Sequence, residues 1–157
     1  MAIVDLAGLK AAVPTGARLL GFDLGEKTIG LALSDTLLTV ATPLTTLKRG
    51  KFSADAVAIE KLIETHGVAG LVVGLPLNMN GTEGPSAQSA RAFGRNFAAR
   101  RDIAIHFSDE RLSTAAVTRT LLDADASRKR RDEVVDKMAA AYILQGVLDQ
   151  LRNMRAT

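Results

Sequence analysis

The spacing of apolar positions changes period several times along this chain, and each change marks an element. RLLGFDLG (18–25) and IGLALSD (29–35) are extended, mostly apolar runs joined through the polar turn GEKT, which predicts an antiparallel hairpin. TVATPLTTLKR (39–49) is a third extended segment; Pro43 lacks the N–H that a central strand must donate, so this segment is expected at a sheet edge. In SADAVAIEKLIET (53–65) the period lengthens. Val57, Ile59, Leu62 and Ile63 follow helical spacing behind Ser53, a residue type that caps helix N-termini. GVAGLVVGLPL (67–77) is a short apolar run between Gly and Pro, the pattern of a strand covered on both faces.

The second half alternates in the same way. NMNGTEGPS (78–86) is a loop with a turn signal at Asn80-Gly81, AQSARAFGRNFAARR (87–101) reads as a helix, and DIAIHFS (102–108) is a strand with Ile103, Ile105 and Phe107 on one face. Ser113 is placed to cap a helix over 114–123, and a basic loop leads into a last helix from about Asp132 to Leu151. Residues 1–13 form a short amphipathic helix or arm, ended by Pro14 and Gly16. Three strands in meander followed by two strands joined through helices predict an α/β fold. Its mixed five-stranded sheet has a three-strand antiparallel meander plus two parallel strands, with helices on both faces. The 157 residues suit a single domain over 18–152, after an arm at 1–17 and before a tail at 153–157.

Composition narrows the chemistry. With no Cys, the chain has no thiol nucleophile, thiolate zinc site or disulfide, and His66 and His106 are its only imidazoles. They read as a helix-end residue and a strand residue, which leaves the carboxylates. Five Phe and one Tyr are too few for a nucleic-acid surface built mainly on base stacking. The N-terminus carries Asp5 and no basic leader, and no run approaches the roughly 20 apolar residues of a membrane helix, so a cytoplasmic protein with no membrane partner is expected. The net charge of +3 is unevenly distributed: residues 91–131 hold ten bases and five acids, including the consecutive Arg128, Lys129, Arg130 and Arg131. Such a run can neutralise the phosphates of a nucleic acid, or can simply be a solvated loop before a helix.

Three carboxylates occupy positions that stability alone would give to other residues. Asp23 lies inside the first strand between Phe22 and Leu24. Glu110 follows the fifth strand beside Asp109, and because strand neighbours face opposite ways only one of that pair should enter a given site. Asp136 precedes Ala140, Ile143 and Val147 on one line of the last helix. Taken singly, Asp23 could be a strand-end turn residue, Glu110 a surface acid beside Arg111, and Asp136 a charge favourable near a helix start. Taken together, they can converge above a sheet. An oxygen-only donor set of this kind suits Mg²⁺ or Mn²⁺. Two such ions about 3.5 to 4 Å apart would activate a water and stabilise the leaving oxygen in phosphodiester hydrolysis.

GFDLGEKTIGLALSD (21–35), LVVGLPLNMNGTEG (71–84), FSDERLST (107–114) and VDKMAAAYILQ (135–145) resemble, in order and spacing, the YqgF/RuvX family of RuvC-like proteins with the RNase H fold. The resemblance spans about residues 18–150. It implies a nuclease of precursor 16S ribosomal RNA, active in 5′-end maturation with a divalent metal, and maps the family's acidic positions onto Asp23, Glu110 and Asp136. The loop departs from the family's usual Asn-Met-Asp-Gly by placing Asn80 third, so no metal role is assigned to Asn80. Asp132 and Glu133 serve as helix-start acids or flank the site. Lys27 in the hairpin turn, Arg111, the loop residues Asn78, Gly81 and Thr82, and Arg128 to Arg131 are expected to contact nucleic acid.

Three functions remain open on these grounds: trimming of ribosomal RNA precursors or their particles, resolution of branched DNA, and binding of nucleic acid without cleavage. Symmetric cutting of a junction requires a homodimer, whereas trimming is open to a monomer. DLGEKTIG also looks like the first phosphate loop of actin-like ATPases, but those proteins bind nucleotide between two domains of this kind, and this chain has the length of one.

Overall fold

The structure, a computed structural model, describes residues 3–110 and 128–155, with side chains in the last helix described from residue 137 to 154. Its elements are α1 (Leu6–Ala12), β1 (Arg18–Leu24), β2 (Thr28–Ser34), β3 (Ala41–Lys48), α2 (Phe52–His66), β4 (Val68–Leu75), α3 (Pro85–Arg100), β5 (Ala104–Asp109) and α4 (Arg128–Arg155). The strands form one sheet in the order β3-β2-β1-β4-β5. β1 pairs antiparallel with β2 and β2 with β3, while β4 lies parallel to both β1 and β5. This is the mixed sheet the alternation predicts. Pro43 sits on the edge strand β3, and the β2–β3 register shifts between Leu31 and Ala32, where Pro43 enters the pairing.

Strand alternation divides the core into two layers. Leu20 and Phe22 of β1, Leu71 and Val73 of β4 and Ile105 of β5 face α2 and α3, against Ile59, Ile63, Phe93 and Phe97. Leu19, Val72 and Ala104 face the other way, onto Ala140, Ile143, Leu144, Val147 and Leu148 of α4 and Leu9 of α1. Burying each such Leu or Ile contributes about 1.5–3 kcal/mol. Gly21 sets the depth of the second layer: a Cβ there would stand 2.8 Å from Leu144 Cβ and 3.1 Å from the Ala140 carbonyl oxygen. Without a side chain at 21, α4 closes directly onto β1.

Some boundaries differ from the sequence expectation, for physical reasons. Ser53 does not cap α2, which starts at Phe52 with Lys51 in the cap position and no side-chain cap. The Phe52 ring packs edge-on against Phe93 at 5.6 Å, and the Asp55 carboxylate accepts the Gly50 N–H at 3.1 and 3.2 Å. Burial of an aromatic ring outweighs a hydroxyl cap here. α3 begins at Pro85, a residue whose fixed φ suits a first helical turn. The basic run is no loop: α4 already includes Arg128, because Arg and Lys favour helix and no Gly or Pro interrupts them. At its other end α4 continues past 152 to Arg155, with Leu151 buried and Met154 packed on the same layer. The first residues are docked on the sheet, since Ile3 bridges to Ile105, the Val4 N–H donates to the Ile105 carbonyl at 2.9 Å, and Leu9 is fully buried. The helix expected over 114–123, with its cap Ser113, lies outside the described residues. No described helix is long and apolar enough to cross a membrane.

Candidate active site

Asp23 shares a face of β1 with Leu19 and Gly21, so its side chain enters the α4 layer. It is 3% exposed, and its Oδ2 atom is fully enclosed by the fold. Across the hairpin it pairs with Gly30. On the other side Phe22 pairs with Val73, which brings Asp23 level with Gly74 of β4. Directly opposed residues share a face, so the carboxylate is flanked by two glycines and no side chain crowds it from either strand.

Glu110 comes to the same place from β5. Leu75 pairs with Asp109, the last residue of the strand, and Glu110 follows with 6% exposure. Its Cγ and Cδ lie 3.3 Å from the point a Cβ on Gly74 would occupy. The two carboxylates therefore come from β1 and β5, on either side of Gly74 in the intervening strand β4, at the C-terminal ends of these parallel strands, the end at which open α/β sheets place ligands. Asp109 is half-buried at the strand end, in line with the expectation that only one member of the pair turns inward.

The third position follows from the path of α4. Gln145 bonds the backbone of Thr39 and Ala41, at the level of Ser34 and hence of Leu19, whereas Ala140 and Leu144 lie over Gly21. The helix thus descends in number toward the C-terminal end of β1. Four residues back from Ala140 is about 6 Å, and two residues on from Gly21 is about 6.6 Å, so position 136 comes level with Asp23. Ala140, Ile143 and Val147 on its line are all fully buried. The side chain of Asp136 lies outside the described residues, as do those of Asp132, Glu133 and Arg128 to Arg131, and all of Arg111. Among the described residues no three acidic or imidazole groups form a metal-sized cluster; two of the three expected carboxylates are in view. The donor chemistry fits a hard divalent cation: both described donors are carboxylates, buried at the C-terminal ends of the strands.

Around this end of the sheet lie the expected supporting residues. Lys27 is exposed in the β1–β2 turn, and Asn78, Gly81 and Thr82 are exposed in the loop after β4. That loop holds itself: the Asn78 N–H donates to the Thr82 carbonyl, the Gly81 N–H to the Asn78 carbonyl, and the Thr82 N–H and hydroxyl both to Asn80 Oδ1 at 3.1 and 2.7 Å. Gly81 has φ 86°, which a glycine adopts without strain. Asn80 is therefore a loop-forming acceptor. His66 ends α2, and His106 on β5 contacts the Val4 carbonyl through Nδ1 at 3.1 Å.

Sequence reasoning overlooks Arg49. Its Nη1 donates to the Gly25 carbonyl at 2.8 Å, its Nη2 to the Ser89 hydroxyl at 2.9 Å, and its N–H to the Lys27 carbonyl at 2.8 Å. It fixes the turn that follows Asp23 against α3 and borders a cleft of about 390 Å³ with Leu24, Glu26, Pro85 and Ser86. Its partners are 24 and 40 residues away, so no local signal marks it. The glycines at 30 and 74 gave no sequence signal of their own either.

The 3-2-1-4-5 mixed sheet, with carboxylates buried at the ends of β1 and β5, is the RuvC-like, RNase H type of fold. Solved structures share the fold: RuvC of T. thermophilus in complex with a Holliday junction substrate matches with TM-score 0.53 at 12% identity, over 90% of this chain and 97% of that one. The yeast mitochondrial Holliday junction resolvase Ydc2 matches with TM-score 0.50 at 11% identity, over 96% and 87%. The chain belongs to the RuvX family, described as a Holliday junction resolvase, whose model matches residues 17–150. A relative from Paramagnetospirillum magneticum is 60% identical over 149 residues, 95% of this chain and 96% of the relative. One from Ruegeria pomeroyi is 56% identical over 144 residues, 92% and 94%, and both carry the name "Putative pre-16S rRNA nuclease".

Proposed function

We propose that this nuclease is divalent-metal-dependent and trims the 5′ end of precursor 16S ribosomal RNA, within ribosome biogenesis in the cytoplasm. The metal requirement is supported by one observation: Asp23 and Glu110 are both buried, Asp23 level with Gly74 on β4 and Glu110 packed over that glycine. Two carboxylates buried at one end of the sheet form an oxygen-only donor set of the kind a hard divalent cation takes. Asp23, Glu110 and Asp136 would hold Mg²⁺ or Mn²⁺, two ions in the fullest arrangement. Such ions activate water and stabilise the leaving oxygen of a phosphodiester. The protein's own part is to fix the carboxylates on rigid strands and a helix, and to offer Lys27, Arg111 and Arg128 to Arg131 to flanking phosphates and Asn78, Gly81 and Thr82 to the backbone of the strand being cut. The choice of RNA is supported by the names of the relatives.

A second reading, cleavage of branched DNA, is favoured by the description of the family model. Incubating the protein with end-labelled precursor RNA and with a four-way DNA junction, in Mg²⁺, Mn²⁺ or EDTA, separates the two. Metal-dependent cutting of the RNA, absent in Asp23→Asn, is the expected result; symmetric junction cutting by a dimer supports the second reading. Cleavage indifferent to EDTA and to Asp23→Asn rules out the metal assignment, and binding without cleavage under every condition leaves a non-catalytic nucleic-acid-binding factor.

A further inference from the structure

Among the described residues, nothing calls for the glycine at position 146 of α4. Gly146 lies in the helix interior, where glycine costs about 1 kcal/mol relative to alanine. Unlike Gly21 or Gly74, it relieves no crowding: among the described residues nothing stands within 4 Å of the place its Cβ would take. That open space is a cleft of about 260 Å³ between α4 and β5, lined by His106, Phe107, Ser108, Asp109, Ile143, Gly146 and Gln150. It ends one residue short of Glu110. Ile143 is the shared wall, since its Cδ1 stands 2.6 Å from the Cβ position of Gly74, beneath the two carboxylates.

The lining indicates what fits. Among the described residues it offers no Lys or Arg, so nothing described there draws a phosphate. Flat apolar surface comes from Ile143 and the bare helix backbone at 146, and directional polar groups come from Ser108, Gln150 and His106, while the Phe107 ring lies on the other face of the sheet against α3. A carbonyl can only accept, so the Nδ1 of His106 is the donor to Val4, and Nε2 is the ring nitrogen left for a ligand. An added peptide strand is disfavoured, because residues 3 and 4 already occupy the β5 edge at Ile105.

We infer that this cleft holds the base of a nucleotide next to the scissile phosphate, with its face on Gly146 and Ile143 and its polar edge read by Gln150 and Ser108; the inference rests on the nuclease reading for its register, not for its existence. The test is a titration of isotopically labelled full-length protein, without metal, with single-stranded tetraribonucleotides of A, C, G or U. Amide shifts at Ser108, Gly146 and Gln150 are expected, with unequal affinities among the four. Gly146→Leu should abolish those shifts and weaken binding about tenfold or more, and Gly146→Ala should raise Tm, which separates a filled cleft from a misfolded one. Shifts confined to Lys27 and residues 78–82, or unchanged binding by a folded Gly146→Leu, overturn the cleft and leave the nuclease reading intact. Cleft shifts in this titration, together with no cleavage of precursor RNA in Mg²⁺ or Mn²⁺, overturn the nuclease reading and leave the cleft standing.

Discussion

At the scale of single residues, an acid that holds the fold is distinct from an acid buried at the candidate site. Asp35 is of the first kind. Burial works to raise its pKa, but the Thr39 hydroxyl at 2.6 Å and the Val40 and Thr39 N–H groups outweigh this and lower it from 3.8 to about 2. A carboxylate with a depressed folded pKa stabilises above its unfolded value and loses that contribution as pH falls through the folded one. Asp35→Asn should therefore cost about 1 kcal/mol near neutrality, and the gap to wild type should close between pH 4 and about 2 in urea titrations. Asp23 is of the second kind. Asp23→Asn should abolish cleavage while Tm stays level, because the amide keeps the size and shape of the buried carboxylate. A large loss of Tm would instead make Asp23 a structural acid.

The elements place the carboxylates through close approach. Gly74→Ala puts a Cβ 2.6 Å from Ile143 Cδ1 and 3.3 Å from the Glu110 carboxyl carbon. The Ile143 side chain can turn away at the cost of packing, but Glu110 must move, so the variant should fold with a stability loss of about 1–3 kcal/mol and lose most of its cleavage rate. Adding Ile143→Ala should recover stability and not activity. At the sheet edge, Gln145 accepts from the Ala41 N–H at 2.9 Å and donates to the Thr39 carbonyl at 3.0 Å, standing in for a further strand. Gln145→Ala leaves those two backbone groups without that partner and should cost about 1–3 kcal/mol in denaturant unfolding. Exchange of the Ala41 amide reports it directly.

For the whole molecule, the sheet was legible because its signals are local. Pro43 marked the edge strand, the unbroken 67–77 run marked a strand covered on both faces, and the period change at 53–65 marked a helix. The helix starts were less legible. Phe52 joins α2 because a ring 41 positions later waits for it, which no capping rule registers. Within the site, Asp23 and Glu110 were readable as charges in costly places, but the glycines that make room for them and the Arg49 tie depend on contacts between distant segments. The basic run also changes meaning at this scale. As the start of α4 it heads the helix that carries position 136, so replacing Arg128 to Arg131 with Gln should weaken RNA binding and flatten its salt dependence by about 0.7 per lost phosphate contact.

The central claim is that Asp23, Glu110 and Asp136 bind the ion that cleavage requires. Anomalous diffraction from crystals soaked in Mn²⁺ tests it directly. A peak bonded to the carboxylate oxygens of Asp23 and Glu110, with Asp136 completing the set from α4, is predicted; Mn²⁺ bound only elsewhere, with those two carboxylates carrying no ion, would contradict it.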